Sequence, residues 1–183
     1  MFSQSSQPCT FERDCEVVMI PSGDEVTIPA GTVAYVTQAL GGSFTVFVDG
    51  NLFRIAGVDA DAIGKEPVMP PQLPDNATED DFERLVWDQM KTVYDPEIPV
   101  NIVDLGLVYS CEMGHDQQGA RTLTVEMTLT APGCGMGDII VDDVRSKLEL
   151  IPTVAKVEVE LTFDPLWNQS MMSEVAKLET GMF

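Results

Sequence analysis

A cysteine enclosed by glycines is the residue in this sequence with the clearest chemical potential. Cys134 lies in the segment Ala131-Pro132-Gly133-Cys134-Gly135-Met136-Gly137, between an alternating apolar run and a helical pattern. Glycine permits positive φ and lets a ligand approach the backbone closely. At the N-terminus of a helix, free N–H groups and the positive end of the helix dipole point toward any side chain or ligand in the preceding loop. That setting favours a thiolate, which binds metals and attacks electrophiles; the structural alternative is a small buried thiol in a tight turn.

Two carboxylates stand in a second segment, Asp95-Pro96-Glu97-Ile98-Pro99-Val100, which two prolines make rigid. Asp95 and Glu97 could supply oxygen ligands or tune a nearby thiol. Equally, Asp95 could organise a turn at the end of a helix, and Glu97 could simply be solvated. Because this segment and the Cys134 loop both flank predicted strands, they could meet at one end of a sheet.

The remaining candidates carry weaker signals. Asp104 interrupts an apolar run from Ile102 to Val108, so it must face solvent, cap a backbone group or belong to a site. Cys15 follows Arg13 and Asp14 and begins a predicted strand, so the positive neighbour could tune its thiol, although residue chemistry alone gives this little weight. His115, the only histidine, lies in a polar turn, where a surface role is the simpler interpretation. The four cysteines, Cys9, Cys15, Cys111 and Cys134, form no C-x-x-C pair, so zinc fingers and thioredoxin-like centres are not supported.

The charge balance narrows the classes of partner. The chain has 183 residues, with 30 acidic and 10 basic side chains and a formal net charge of −20. Nucleic acids and anionic membranes are bound through Lys and Arg, so both are disfavoured. No apolar run approaches the roughly 20 residues that span a bilayer, and the polar start resembles no signal peptide. We therefore expect a cytoplasmic protein.

A proline-rich stretch predicts two domains. Four prolines lie between residues 67 and 74, and proline excludes both helix and central strand. We predict a small β domain over residues 1–66, an extended linker over 67–77 and an α/β domain over 78–183. In the first domain, short strands at 15–20, 32–38, 43–48 and 51–55 are separated by turns, and Asp49-Gly50 predicts a type I′ hairpin. That pattern is typical of a small barrel or sandwich.

The second domain is predicted to have the order α-β-β-α-β-α, which is an α+β fold with a small mixed sheet flanked by helices. Thr78 and the acids after it indicate a helix N-terminus, and the helical pattern runs to Asp95-Pro96. Alternation over 122–130 places Leu123, Val125, Met127 and Leu129 on one face. The other predicted elements are strands at 102–110 and 156–163, a polar turn at 113–119, and helices at 138–150 and 170–178.

Several of these segments together resemble one known family. Residues 95–100, 102–109 and 128–134 resemble the iron–sulfur assembly-factor domain found in bacterial SufT, in the eukaryotic cytosolic iron–sulfur targeting subunit and in an accessory subunit of the phenylacetyl-CoA oxygenase system. Asp164-Pro165-Leu166-Trp167 and residues 171–174 resemble the C-terminal motif of that family. Residues 13–15, 37–46 and 50–55 resemble the extra domain of SufT proteins. Gly135 departs from the proline that many members carry after the loop cysteine.

The resemblance implies an auxiliary role in maturing iron–sulfur proteins. It maps the functional cysteine of the family onto Cys134 and its acidic loop residues onto Asp95 and Glu97, whereas Asp104 and Thr130 match motif positions. A transient cluster or iron would be the cargo, and the partners would be an assembly scaffold or carrier and client apoproteins. Since clusters usually take four protein ligands, one thiol implies sharing with a client or bridging across a homodimer.

Three other functions stay open at this point. The chain could be a metal-free adaptor that docks clients to the assembly machinery, or an accessory subunit of an oxygenase system. A thiol enzyme with Cys134 as nucleophile is a third, which the weakness of His115 as a base disfavours. We predict a protein that is not an enzyme.

Overall fold

A proline-rich segment separates two compact units in the computed structural model, which describes residues 6–95, 98–133 and 135–182. The units are Met1–Pro70 and Pro71–Phe183, so the boundary falls inside the segment predicted to be a linker. The segment is anchored to each unit: the Val68 N–H donates to the Gly57 carbonyl (2.9 Å) in the first, and Leu73 packs against the core of the second. Independent folding of the two units stays a prediction.

The first unit is a single six-stranded antiparallel sheet with the order β1-β4-β5-β6-β2-β3. Its strands are β1 (Gln7–Thr10), β2 (Cys15–Ile20), β3 (Glu25–Ile28), β4 (Val33–Leu40), β5 (Ser43–Val48) and β6 (Asn51–Ile55). The prediction of an all-β unit is confirmed. The sandwich alternative is wrong, because all six strands pair into one sheet. Strands β1 and β3 and a 3-10 helix at Gly57–Ile63 were not predicted, since four-residue strands show too few alternations to be recognised.

Tight turns set the register of this sheet. Asp49 and Gly50 have φ of 47° and 89°, and Val48 pairs with Asn51 across them, which confirms the predicted type I′ hairpin. Gly41 and Gly42 also have positive φ and connect β4 to β5 in the same way. Two-residue turns of this kind match the right-handed twist of the strands they join.

The two faces of the sheet differ in exposure. One face buries Val36, Val46 and Phe53 at paired positions. On the other face, the register aligns five apolar residues from five adjacent strands, which we call the apolar row: Pro8, Tyr35, Phe47, Leu52 and Ile20. Tyr35 and Leu52 are 44% and 37% exposed. A row across five strands at about 4.8 Å each is about 19 Å long.

The second unit contains three helices and a three-stranded mixed sheet. Its elements are α1 (Glu79–Met90), β7 (Val108–His115), β8 (Arg121–Met127), α2 (Gly137–Glu149), β9 (Val154–Leu161), a 3-10 helix (Gln169–Met171) and α3 (Glu174–Thr180). Strand β8 is central, antiparallel to β7 and parallel to β9, with α2 as the crossover helix. The predicted α+β class and the order α-β-β-α-β-α are both confirmed. No helix in the described ranges is long and apolar enough to cross a membrane.

The helices enclose the core of this unit. Thr78 caps α1: its side chain accepts a hydrogen bond from the Asp81 N–H, and the Asp81 carboxylate accepts one from the Thr78 N–H, which forms a capping box. The core residues of α1, α2 and β8 are Phe82, Val86, Met90, Ile140, Val144, Leu148, Leu123, Val125 and Met127. The apolar residues that recur with helical spacing in α1 and α2 and those that alternate in β8 therefore form one core.

The predicted strand at 102–110 is wrong over its first half. Residues 102–107 form turns, and β7 begins only at Val108. The Asn101 side chain accepts from the Asp104 N–H (2.9 Å), and the Leu105 N–H donates to the Asn101 carbonyl (3.0 Å). These local bonds compete with strand pairing, as Asn and Asp side chains commonly do. Two boundaries also differ: α1 ends at Met90 rather than at Asp95, and His115 closes β7 rather than lying in a turn.

The C-terminal segment packs onto this turn. The Trp167 indole N–H donates to the Leu105 carbonyl (2.7 Å), and the Tyr109 hydroxyl donates to the Pro165 carbonyl (2.7 Å). Gly106 has φ of +75°, and a Cβ there would lie 2.2 Å from the Met171 carbonyl oxygen. Glycine at 106 is thus required both by backbone conformation and by close approach.

Gly106→Ala should destabilise the protein more than Gly119→Ala, because only the first places a methyl group against the backbone. Gly119 also has positive φ (+81°), but its added Cβ would meet nothing within 4 Å. We expect Gly119→Ala to lower the free energy of unfolding by about 1–2 kcal/mol, from conformational strain alone. Gly106→Ala should lower it by about 1–3 kcal/mol more. Denaturant unfolding of both variants measures this, and equal losses would contradict the packing argument.

Candidate functional site

The proline-bounded acidic segment is a tight turn held by its own flanks. The Ile102 N–H donates to the Val93 carbonyl (2.9 Å), Tyr94 pairs with Asn101, and the Asp95 N–H donates to the Val100 carbonyl (3.2 Å). Residues 93–95 and 100–102 thereby form a short antiparallel stem. We call residues 95–100 the acidic turn.

Asp95 organises the acidic turn. It is 5% exposed, and its Oδ1 accepts a hydrogen bond from the Ile98 N–H (3.0 Å). Of the two roles that the sequence allowed for Asp95, organising a turn and acting in a site, this hydrogen bond corresponds to the first. Pro96 and Glu97 lie outside the described residues, so the predicted role of Glu97 stays a prediction.

Main-chain hydrogen bonds connect the acidic turn to the segment that leads to Cys134. The Leu107 N–H donates to the Ile102 carbonyl (3.0 Å), and the Thr128 N–H donates to the Leu107 carbonyl (2.8 Å). Together with the bond between Ile102 and Val93, these bonds link the stem of the acidic turn, through the turns at 102–107, to the residue just past the end of β8. The stem of the acidic turn and the entrance to the cysteine loop therefore lie at the same end of the sheet.

The cysteine loop leads into α2, as the sequence predicted. Gly133 has φ of +75°, which favours glycine at that position. Gly137 begins the helix, and a Cβ there would lie 2.7 Å from Leu129 Cδ1, so the Leu129 side chain packs closely against this glycine. Met136, the residue before the helix, gives no side-chain cap. Cys134 itself lies outside the described residues, and its contact with Asp95 or Glu97 stays a prediction.

Asp104 and Thr130 have different surroundings. The Asp104 carboxylate accepts from the Asn101 side-chain amide (2.6 Å), and its carbonyl accepts from the Ser173 N–H (2.8 Å) at the start of α3. Asp104 therefore has a structural role, in a turn beside the C-terminal helix. Thr130 is half-buried at the entrance to the cysteine loop.

Thr128 is a residue of this site that the sequence did not single out. Alternation placed Met127 and Leu129 inward, and Thr128 was therefore expected on the opposite face. It is instead fully buried, and within the described ranges its Oγ1 is the one buried side-chain oxygen or nitrogen without a hydrogen-bond partner. Such a hydroxyl costs about 1–3 kcal/mol. Its position just past the end of β8, where the two-residue rule no longer applies, explains why the pattern missed it.

The described thiols do not favour the thiolate. Burial raises the pKa of Cys9, and burial followed by the Asp59 carboxylate raises the pKa of Cys15. Burial, with the Glu83 carboxylate, raises the pKa of Cys111 to about 11. Arg13 does lower the pKa of Cys15, but burial in the core and the Asp59 carboxylate outweigh it, so the net shift is upward.

Neither the potential metal ligands nor His115 indicates a functional site apart from the acidic turn and the cysteine loop among the described residues. In the ranges that the structure describes, no group of three His, Cys, Asp or Glu side chains could hold a metal ion. His115 is exposed and lines a cleft of about 650 Å³ with Arg121 and Thr153. Since His115 pairs with Arg121 at the start of β8, and the cysteine loop follows the end of β8, the cleft lies at the opposite end of the sheet.

Comparison with known proteins identifies relatives of the second unit. Residues 83–161 match a family model described as iron–sulfur cluster assembly protein. A Porphyromonas gingivalis Fe-S protein maturation auxiliary factor is 51% identical over 104 residues, which cover 57% of this chain and 91% of that protein. Staphylococcus aureus SufT, an Fe-S protein maturation auxiliary factor, is 43% identical over 90 residues, covering 49% and 98%. An iron-sulfur cluster carrier protein of Synechocystis is 27% identical over 82 residues, covering 45% and 22%.

Thiol labelling as a function of pH should separate Cys134 from the other three cysteines. A raised pKa leaves less thiolate at neutral pH, so Cys134→Ser protein should react slowly at pH 7 and faster only in alkaline buffer. The wild-type protein should add one fast phase with an apparent pKa below about 8.5. A fast neutral-pH phase that persists in Cys134→Ser would contradict this assignment.

Proposed function

This chain belongs to the SufT-type Fe–S protein maturation auxiliary factors, and from that premise we propose that Cys134 is the group through which it assists cluster assembly or transfer. A role in Fe–S protein maturation follows from the family. The observation that supports Cys134 is the loop that carries it: this loop is exposed at Gly133 and Gly135 and leads into the start of α2, which lacks a side-chain cap.

The cargo is iron or an iron–sulfur cluster, held for a short time. A thiolate is a soft ligand suited to iron–sulfur chemistry, and the helix start favours the thiolate over the thiol. One thiol supplies one of the four ligands that clusters usually take, so the client or a second copy of the chain completes the set. Exposure of the flanking glycines leaves room for either.

Asp95 and Glu97 have separate proposed roles. Asp95 is buried and accepts the Ile98 N–H, so it shapes the acidic turn. Glu97 follows in that turn and is the carboxylate proposed to tune the thiol or to add an oxygen ligand. The main-chain bonds from Val93 through Ile102 and Leu107 to Thr128 support this pairing of the two loops.

The protein is proposed to act without catalysing a reaction of its own. Its partners would be the scaffold or carrier that supplies the cluster and the apoproteins that receive it, in the cytoplasm. The names of the relatives, auxiliary factor and cluster carrier, support this class of role. His115 lies at the end of the sheet opposite the entrance to the cysteine loop, which disfavours it as the base of a thiol enzyme.

Cys134→Ser should abolish support of client maturation while leaving the fold intact. In cells under high iron demand, we expect the activity of Fe–S enzymes to fall to the level of cells lacking the protein. Cys111→Ala is the matched control, a thiol in the same unit whose pKa is raised to about 11. Iron and sulfide analysis after anaerobic purification should show cargo in wild type and its loss in Cys134→Ser. Normal enzyme activity in Cys134→Ser cells would refute the role.

A docking role for the first unit is a second candidate, which the apolar row favours. Apolar residues aligned across five strands, of which Pro8, Tyr35 and Leu52 are exposed and Phe47 and Ile20 are half-buried, mark a surface for protein contact rather than scattered surface residues. The partner would present apolar side chains with basic neighbours, because residues 1–70 contain only Arg13, Arg54 and Lys65 as basic residues and the chain carries −20 overall. The same charge makes a second copy a poor occupant of this face.

Leu52→Asp should impair client maturation without altering iron content or folding, because a charge in the apolar row must be desolvated on docking. Thr27→Asp is the control, since Thr27 is exposed on the same face and its pairing with Glu16 places it outside the row. Fe–S enzyme activity in cells complemented with each variant is the measurement. Full activity of Leu52→Asp would exclude docking through the row.

A further inference from the structure

Strand β9 is an edge of the sheet in the second unit, and its outer side is open for pairing. It is eight residues long and, in the part of the chain that the structure describes, it pairs only with β8. The Thr162 N–H, directly after β9, donates to the Met127 carbonyl at the end of β8 (2.9 Å). Peptide groups along a strand point alternately to its two sides, so the N–H and carbonyl groups of Val157, Val159 and Leu161 point away from β8. A row of such groups is a template for another strand.

The two faces of the sheet beside this edge differ in character. On the helix-covered face, Val157 and Val159 pack against the core, whereas Leu161 at the end of the strand is 39% exposed. The opposite face carries four carboxylates and one ammonium group, which belong to Glu112, Glu126, Glu158, Glu160 and Lys156. A strand added along β9 would therefore meet apolar side chains on one face and mostly acids on the other.

We propose that β9 binds an extended segment of a partner protein, in which basic and apolar residues alternate, as a fourth strand of this sheet. Main-chain hydrogen bonds to the outward groups of β9 supply affinity, and the side chains supply specificity. Basic residues form cross-strand pairs of opposite charge with Glu158 and Glu160, and apolar residues cover Leu161. The net charge of −20 favours a basic partner over a second copy, because two copies repel each other. This inference goes beyond the proposed function and does not depend on Cys134.

An eight-residue labelled peptide of alternating lysine and valine tests the charge requirement by fluorescence anisotropy. The full chain should bind it, and should bind a glutamate–valine peptide at least about tenfold more weakly. Glu158→Lys with Glu160→Lys should weaken binding of the lysine–valine peptide about tenfold, since like charges directly opposite are unfavourable. Glu149→Lys with Glu179→Lys is the matched control, because it changes the net charge equally at exposed positions of α2 and α3. Equal losses in the two double variants would show attraction by net charge alone and would overturn the proposal.

N-methylation of the lysine–valine peptide tests strand pairing separately from charge. Methyl groups on the valine nitrogens remove the N–H groups along one side of the extended peptide, and methyl groups on the lysine nitrogens remove those along the other. Only one of the two peptides should lose binding: the valine-methylated peptide if the segment adds antiparallel to β9, and the lysine-methylated peptide if it adds parallel. Equal affinity of the two methylated peptides, whether weak or tight, would contradict pairing along an edge.

The alternative occupant of this edge is a second copy of the chain, which sedimentation of the peptide-free protein tests. Binding of one peptide per chain supports the proposal, whereas a dimer that fails to bind the peptide would assign β9 to the second copy and overturn it. Cys134→Ser should bind the peptide like the wild type. Failure of the proposed cluster role therefore leaves peptide binding intact, and failure of the present inference leaves the iron content of the wild type unchanged.

Discussion

The second unit depends on a run of main-chain hydrogen bonds that links the stem of the acidic turn, through the turns at 102–107, to the residue just past the end of β8. Val93 pairs with Ile102, Ile102 with Leu107, and Leu107 with Thr128. Buried backbone groups must find partners, so each of these segments is held by the next. The acidic turn and the cysteine loop are far apart in sequence, yet this run brings their bases to one end of the sheet. The proposed site is a consequence of backbone pairing.

The thiols of the chain divide by environment. Cys15 is in the core of the first unit, and Cys111 is partly buried beside a carboxylate; both have raised pKa values and behave as apolar residues. The segment around Cys134 combines exposed glycines with the start of a helix whose N-cap residue, Met136, provides no side-chain cap. Burial disfavours the charged form of a thiol and a helix start favours it, which is why the proposal assigns the cargo to Cys134 and not to the buried cysteines.

Polar groups near the site serve structure as well as function. Asp95 and Asp104 both accept local hydrogen bonds that shape turns, and Asp104 also accepts a bond from the backbone of Ser173. Thr128 differs because its hydroxyl has no partner among the described residues. These local hydrogen bonds explain why the Asp95 and Asp104 carboxylates are tolerated where they are shielded from solvent. No structural role among the described residues accounts for the buried Thr128 hydroxyl.

The sequence by itself determined the elements whose signals are local: the helix N-cap at Thr78, the hairpin at Asp49-Gly50, the alternation of β8, and the glycines around Cys134 before a helix. Each depends on contacts within a few residues, so its pattern is visible in the chain. Only the tertiary structure decided that residues 102–107 turn rather than pair, that Cys15 is buried, and that Thr128 is buried without a partner. Those properties depend on segments distant in sequence, whose packing no local periodicity encodes.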